Sequence, residues 1–184
     1  SSGKRIAMID LAAAGPADAK SHFANDVAVG KDGSVYVTNT MARVVYKVDS
    51  KNAVSVIVPN SFGAGQVMLN GIEAHPSGYL LVAESGAGDI YKVPLANPGS
   101  MTKVKLAEQV TGADGIVWHP DGCLIVVRND ASKSVIALKS TDDWATAKVD
   151  SRGTFGTQGT TAAVSSPGRR WSGLKIRRKL SASI

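Results

Sequence analysis

Short apolar stretches alternate with polar residues through most of the chain. Val27 and Val29 alternate with small or polar neighbours, as do Val35 and Val37. Alternation with a period of two, carried by β-branched and aromatic residues, predicts half-buried strands. Between the apolar stretches stand Lys31-Asp32-Gly33, His75-Pro76-Ser77-Gly78 and His119-Pro120-Asp121-Gly122. These are tight-turn sequences: Pro presets φ, Asp or Ser bonds nearby backbone, and Gly takes a positive φ. A second turn is expected at 40–42 and at 85–88, and a third strand at Val44–Val48, 90–93 and 134–138. A weaker fourth strand is expected at Val54–Val58, 103–106 and 146–149, and an incoming strand at 5–11. No long amphipathic helix is present; residues 9–14 could open one, which Gly15-Pro16 would end.

The pattern repeats. Residues 25–40, 70–85 and 114–129 align without gaps, at spacings of 45 and 44 residues. In each copy a glycine follows the leading residue by eight positions: Gly33, Gly78 and Gly122. Tyr46-Lys47-Val48 and Tyr91-Lys92-Val93 share a later offset, where the third copy has Val135-Ile136-Ala137. Four short strands in ~40–45 residues are the unit of a β-propeller blade. The expected fold class is therefore all-β, a β-propeller of about three four-stranded blades. A β-sandwich is the alternative, although sandwiches rarely repeat their turn sequences. Three blades do not close a ring, which takes ~4–8. The expectation is an arc of a larger propeller, or half of a dimeric ring, with open edges able to self-associate.

Charge divides the chain. The 184 residues carry a net charge of +6, which on its face suggests an anionic partner. Residues 1–150 hold 14 Lys and Arg against 15 Asp and Glu, whereas 151–184 hold 7 and none. Residues 1–149 are expected to form the partial propeller and 150–184 a basic tail of low order. The tail carries Arg169-Arg170 and a basic run over 175–179. It reads as an anion-binding or localisation segment, a solvated end, or a segment from a shifted frame or alternative splicing. Phe155 and Trp171 are too few for the stacking platform of a single-strand binder, which argues against nucleic acid as partner. The single cysteine, Cys123, excludes an intrachain disulfide and a cysteine-cluster zinc site. No stretch approaches the ~20 apolar residues of a membrane span. The opening Ser1-Ser2-Gly3-Lys4-Arg5, without an initiator Met, suggests a processed or partial chain.

The candidate chemistry sits at the leading residues Asn25, Asn70 and Asp114, expected just before each inner strand. Equivalent positions of successive blades converge on the central channel. Two amide oxygens and one carboxylate suit a hard cation: Ca²⁺ first, with Mg²⁺ or Mn²⁺ as alternatives. The competing reading is local backbone bonding by Asn and Asp as Asx-turns.

The run from Asn25-Asp26 through Lys31-Asp32-Gly33, then Leu69-Asn70-Gly71-Ile72 with His75-Pro76-Ser77-Gly78, then Ala113-Asp114-Gly115-Ile116 with His119-Pro120-Asp121-Gly122, resembles the senescence-marker-protein/gluconolactonase-like propellers. These are also described as calcium-dependent phosphotriesterase-like proteins. Ser140, Asp142, Trp144, Thr146 and Ala147 match an element of their uncharacterised plant-type members. The resemblance covers about residues 5–149 and implies half of a six-bladed ring. It implies a divalent cation, commonly calcium, held by Asn25, Asn70, Asp114 and a first-blade Glu. That Glu has no counterpart here, and the expectation is that the chain begins after it. Glu73 and Glu84 stand at other repeat positions. Asp114 is also the general base that the resemblance implies, acting on a lactone or phosphoester.

Other residues read as structural. His75 and His119 share an offset and are expected in turns, while His22 has no visible partner. Ser85 lacks the context of a nucleophile elbow. Gly63, Gly65, Gly86 and Gly88 complete no phosphate-binding fingerprint. Cys123 is expected buried and inert. Three functions therefore stand open: a metal-dependent hydrolase, a non-catalytic binding propeller, and anion binding through the tail.

Overall fold

The structure, a computed structural model, describes residues 7–59, 62 and 68–154. Phe155, Trp171, the basic stretches of the tail, Gly63, Gly65 and the first two residues of the expected incoming strand lie outside the described residues. Each repeat forms one antiparallel meander. The first sheet contains β1 (Ala24–Val29), β2 (Val35–Asn39), β3 (Val44–Val48) and β4 (Val54–Val58). The second contains β5 (Leu69–His75), β6 (Tyr79–Glu84), β7 (Asp89–Pro94) and β8 (Thr102–Lys103). The third contains β10 (Ala113–Trp118), β11 (Leu124–Arg128), β12 (Ser134–Lys139) and β13 (Thr146–Thr154), with β9 (Lys105–Leu106) added at its outer edge. The turn glycines do what their spacing predicts. Gly33, Gly78 and Gly122 have φ of 79°, 87° and 77° with open space around them, so backbone conformation alone requires glycine there.

Three elements differ from expectation. The strand expected over 103–106 is split at Val104, whose buried side chain turns the chain from one sheet to the next. β8 pairs with β7, while β9 pairs in parallel with β13 and fastens the second sheet to the third. β13 continues to Thr154, beyond the 146–149 expected of it. Residues 7–11 form no strand; the chain makes a short 3₁₀ turn at Ala12–Ala14, closed by the Gly15 N–H on the Ala12 carbonyl.

The sheets stack as three consecutive blades, with the inner strands side by side: β1 beside β5, and β5 beside β10. β6 explains why. All six of its residues are buried, because alternate side chains serve opposite interfaces. Leu80 and Val82 pack with Tyr36, Val45 and Ile72 between the first two blades. Tyr79, Leu81 and Ala83 pack with Ile116, Leu124 and Ile136 between the second and third. A strand covered on both faces loses the polar positions of a half-exposed one.

The first blade's other face is covered differently. Leu11 and Ala19 from the N-terminal segment lie against Val37, Val44 and Tyr46 of β2 and β3. This cover stops short of β1. Val27 is 54% exposed, whereas Ile72 and Ile116, at the same repeat position, are 1% and 2% exposed beneath a preceding blade.

One buried polar position recurs fourteen residues after each leading residue. Asn39 Oδ1 accepts from Phe23 N at 3.0 Å and Ala42 N at 2.9 Å. Glu84 accepts from Met68 N at 2.8 Å and from Gly86 N and Ala87 N. Arg128 Nε donates to the Thr111 carbonyl at 3.0 Å. Three side chains of different charge thus tie the segment before each inner strand to the turn after the second strand.

The second and third blades also lock at the far end of their inner strands. Asp143 and Trp144 adopt φ of 55° and 65°. Ser140 Oγ, accepting from Trp144 N at 2.9 Å, and Asp142, accepting from Thr146 N at 2.9 Å, hold that loop. Trp144 then packs edge-on against Trp118, and Trp118 against His75, which stacks on Tyr79. Lys92 Nζ lies 4.4 Å from the Tyr79 ring centre and 2.6 Å from Asp143 Oδ2. The Ser-Asp-Trp-Thr element seen in the sequence is therefore an interblade clamp.

At the axis the fit is closest at Gly71. A Cβ there would stand 2.2 Å from the Asp114 carbonyl oxygen and 2.9 Å from Ile116 N. Backbone atoms cannot yield as flexible side chains can, so Gly71→Ala should destabilise the chain by about 2–3 kcal/mol. Urea unfolding measures this. Gly153→Ala is the control, with open space around the glycine, and should stay within ~0.5 kcal/mol of the parent.

Candidate functional site

The three leading residues occupy the same irregularity in each inner strand. Ala24 pairs with Asn39 and Val27 with Val37, so three steps on β1 oppose two on β2. The same shift lies between Leu69 and Ile72 on β5 and between Ala113 and Ile116 on β10. Asn25-Asp26, Asn70-Gly71 and Asp114-Gly115 are therefore three equivalent β-bulges. They lie inside the strands, rather than just before them as expected. A bulge twists the strand and re-aims side chains, and such features gather beside functional sites.

The sixteenth position of the repeat braces the first. Asn25 Nδ2 donates to Thr40 Oγ1 at 2.9 Å, and Thr40 Oγ1 donates to the Leu69 carbonyl of the next blade at 2.6 Å. In the third blade Asn129 Nδ2 donates to Asp114 Oδ2. The first blade sends two more groups across. Thr38 Oγ1 donates to the Asn70 carbonyl at 2.6 Å, and Asp26 Oδ2 accepts from Ile72 N at 3.1 Å. Asp26 Oδ1 meanwhile accepts from Val27 N at 2.8 Å. One carboxylate thus satisfies the bulge N–H groups of two blades.

Asp114 is half-buried, and its carboxyl is raised above the usual range chiefly by burial. The negative charge of Asp26 raises it further, while the amides of Asn129 and Asn70 hold it down. Both amides have their other end unpaired. Asn70 Oδ1 and Asn129 Oδ1 are buried acceptors without a donor, and an unpaired buried acceptor carries a desolvation cost of ~1–3 kcal/mol. Two buried amide oxygens without donors thus belong to side chains that reach one carboxyl group. Such an oxygen set suits a hard cation or a ligand with hydrogen-bond donors.

Two further carboxyl groups, Asp26 of the Asn25-Asp26 run and Glu73, which the repeat alignment set aside, carry no role in the sequence reading. Asp26 is raised by burial against the lowering effect of its two backbone donors. Glu73, on β5, is pushed up to about 7 by burial, with the Trp118 backbone N–H lowering it and the charge of Asp26 raising it. Asp26 thus couples to both Glu73 and Asp114. Among the described residues no three His, Cys, Asp or Glu side chains come together as a metal cluster. Any cation here would rest mainly on neutral amide oxygens.

The remaining candidates take structural places. His75 Nδ1 accepts from Ser77 N at 3.1 Å and His119 Nδ1 from Asp121 N at 3.2 Å, the turn role expected of them. His22, expected to be alone, stands 3.5 Å from both Asn39 Nδ2 and Tyr46 Oη. The Ser85 backbone bonds Met68 and Gly112. Gly86 and Gly88 lie in the turn that folds around Glu84. Cys123 is buried, and burial pushes its thiol up, away from a reactive thiolate.

No protein-family model and no curated protein sequence matches the chain. Solved structures do. A catalytically inactive virginiamycin B lyase from Staphylococcus aureus, with quinupristin, superposes with a TM-score of 0.59 at 14% identity, over 75% of this chain and 43% of that one. The Malassezia sympodialis allergen Mala s 1 gives 0.56 at 20% identity, over 70% and 40%. A nidogen/laminin complex gives 0.53 at 14% identity, over 70% and 48%. The chain spans less than half the length of these structures. At such identities the likeness establishes the β-propeller fold.

Glu73 supplies a pH test. Its acid form is favoured by folding, so the folded state holds a proton that the unfolded chain releases near 4.5. Stability is therefore fully present below about pH 4.5 and declines as pH rises toward about 7. Glu73→Gln removes this loss. Relative to the parent it should gain about 1–2 kcal/mol between pH 4 and pH 8, a figure discounted for solvent screening of a partly exposed group. Urea unfolding across that range is the measurement, and a difference independent of pH would refute the assignment.

Proposed function

We propose that the chain is part of a metal-dependent hydrolytic propeller acting on a lactone or phosphoester. Asp114, Asn70 and Asn25 would hold the divalent cation, Ca²⁺ in first place and Mg²⁺ or Mn²⁺ as alternatives, and Asn129 would join them as a fourth oxygen donor. The observation that carries this reading is the pair of unpaired buried oxygens, Asn70 Oδ1 and Asn129 Oδ1, on the two amides that hold Asp114. When bound, the cation supplies a Lewis acid that polarises a carbonyl or phosphoryl oxygen and lowers the pKa of water. Asp114 takes the proton of the attacking water, a role suited to a carboxyl raised by burial. Asn129 holds the Asp114 carboxyl in orientation, and Thr40 does the same for the Asn25 amide. Resemblance to the gluconolactonase-like propellers at Asn25, Asn70 and Asp114 supports the reading.

A specific observation favours a second reading, a non-catalytic binding propeller. The oxygen set holds one carboxylate, and no acidic or histidine cluster of three stands among the described residues. Carboxylates supply most of the charge compensation at a divalent site. Binding through the basic tail is a third possibility, whose residues lie outside the described ones.

Calorimetric titration of Ca²⁺ into the chelator-treated chain separates these readings. Asp114→Ala should abolish the heat, and Asn70→Ala and Asn129→Ala should each weaken binding about tenfold or more. No heat from the parent, or unchanged affinity in Asp114→Ala, overturns the metal assignment. Lactone and phosphotriester turnover that chelator stops confirms a hydrolase. Ca²⁺ binding without turnover leaves the binding propeller.

A further inference from the structure

We propose that the ligand of this site is amphipathic, a lactone or ester with a hydrocarbon chain, which lies over an apolar rim formed by Phe23, Met41 and Met68. The inference rests on the site assignment above and adds the chemical class of the substrate.

The rim follows from exposure and connectivity. Among the described residues the large apolar side chains most open to water are Met8, Phe23, Val27, Val29, Met41 and Met68. Phe23 is 54% exposed, Met41 58% and Met68 44%. These three are far apart in sequence, yet Thr40 joins them. The Phe23 carbonyl accepts from Thr40 N at 2.9 Å. Met41 follows Thr40 in the chain. Thr40 Oγ1 donates to the carbonyl of Leu69, the neighbour of Met68, at 2.6 Å. The same Thr40 Oγ1 accepts from Asn25 Nδ2. Thr40 therefore links the segments that carry Phe23, Met41 and Met68 to the site residue Asn25.

The lead-in segments of Phe23 and Met68 are fixed in place. Phe23 N is fixed by Asn39 Oδ1, and Met68 N by Glu84 Oε1 at 2.8 Å, both acceptors belonging to buried side chains. The tie that each blade makes before its inner strand thus holds the segments that present Phe23 and Met68. Exposed apolar groups that gather next to a polar recess mark a binding surface. Methionine adapts to chains of varying shape through its unbranched, polarisable side chain. A sugar lactone, with hydroxyls along its length, finds no hydrogen-bonding side chain among these three residues. An alkyl chain does find apolar contact, with its carbonyl end turned toward Asn25, Asn70 and Asp114.

Two series of ligands test this on the full chain with Ca²⁺ present. The first is 5-alkyl-γ-lactones from methyl to octyl, followed by hydrolysis. The second is the corresponding 5-alkyl-2-pyrrolidinones, which resist hydrolysis, followed by calorimetric binding. Affinity for the octyl pyrrolidinone should exceed that for the methyl one by about tenfold or more. In Met41→Gln/Met68→Gln this preference should fall to about twofold or less, with an unchanged far-ultraviolet spectrum and melting temperature. Equal affinity across the pyrrolidinones, or a preference that persists in the double variant, overturns the apolar rim whether or not lactones are hydrolysed. A chain-length preference among pyrrolidinones without turnover of any lactone upholds the rim and removes the hydrolase assignment.

Discussion

The close approach of β5 to β10 at Gly71 sets the geometry on which the rest of the site depends. With no side chain at that bulge, the second blade's backbone lies against the Asp114 carbonyl and Ile116 N. Any larger residue would hold the blades apart and move Asp114 away from the Asn70 amide. The first and second blades meet differently. The equivalent residue there is Asp26, whose carboxylate fills the gap and accepts from Ile72 N. The same repeat position thus gives direct backbone contact at one interface and a side-chain bridge at the other. The apolar packing between blades is similar at both, and the axial polar residues decide how the inner strands are spaced.

That division of labour explains why the repeats diverge where they do. Side chains buried between blades stay apolar and interchangeable, as Leu80 and Val82 at one interface and Leu81 and Ala83 at the other illustrate, because packing asks mainly for volume. The position fourteen residues after each leading residue holds Asn39, Glu84 and Arg128, yet each ties an incoming segment to a turn. Backbone offers both donors and acceptors, so a tie can be made by an amide, an acid or a guanidinium. The geometry is retained while the chemistry drifts, and the axial positions can specialise without loss of the blade.

Period-two alternation and turn glycines were legible in the sequence because they reflect local rules. Gly33, Gly78 and Gly122 have the positive φ their offset predicts, and the repeat spacing leads directly to blades. The bulges were not legible. An extra residue in a strand leaves no mark on composition, so Asn25, Asn70 and Asp114 read as residues before the strands. Asn129 was aligned as the last residue of the repeat, but its role depends on a bond across the hairpin to Asp114. Asp26 and Glu73 received no role from the sequence for a related reason. Their perturbed acidity comes from burial between blades, a tertiary property that no spacing encodes. The split at Val104 was hidden as well, since β8 and β9 form one apolar-polar stretch in sequence but belong to different sheets.

The electrostatics of the axis point the same way as the unpaired amides. Asp26, Glu73 and Asp114 are each raised by burial, and Asp26 raises both of the others through its charge. Such a set favours protons, or some other positive charge, over three bare carboxylates. Glu73, raised to about 7, meets the condition by protonation near neutral pH. Asp26 is compensated by two backbone N–H groups. Asp114 has neither a backbone donor nor a basic partner among its stabilising neighbours, only two neutral amides. Those amides spend their donors on the carboxylate and leave buried oxygens unsatisfied. A cation would relieve both deficits at once, giving the carboxylate a counter-charge and the amide oxygens a partner. A neutral ligand with donor groups would satisfy the oxygens but leave Asp114 uncompensated. The carboxyl group is therefore what favours a metal over an uncharged occupant.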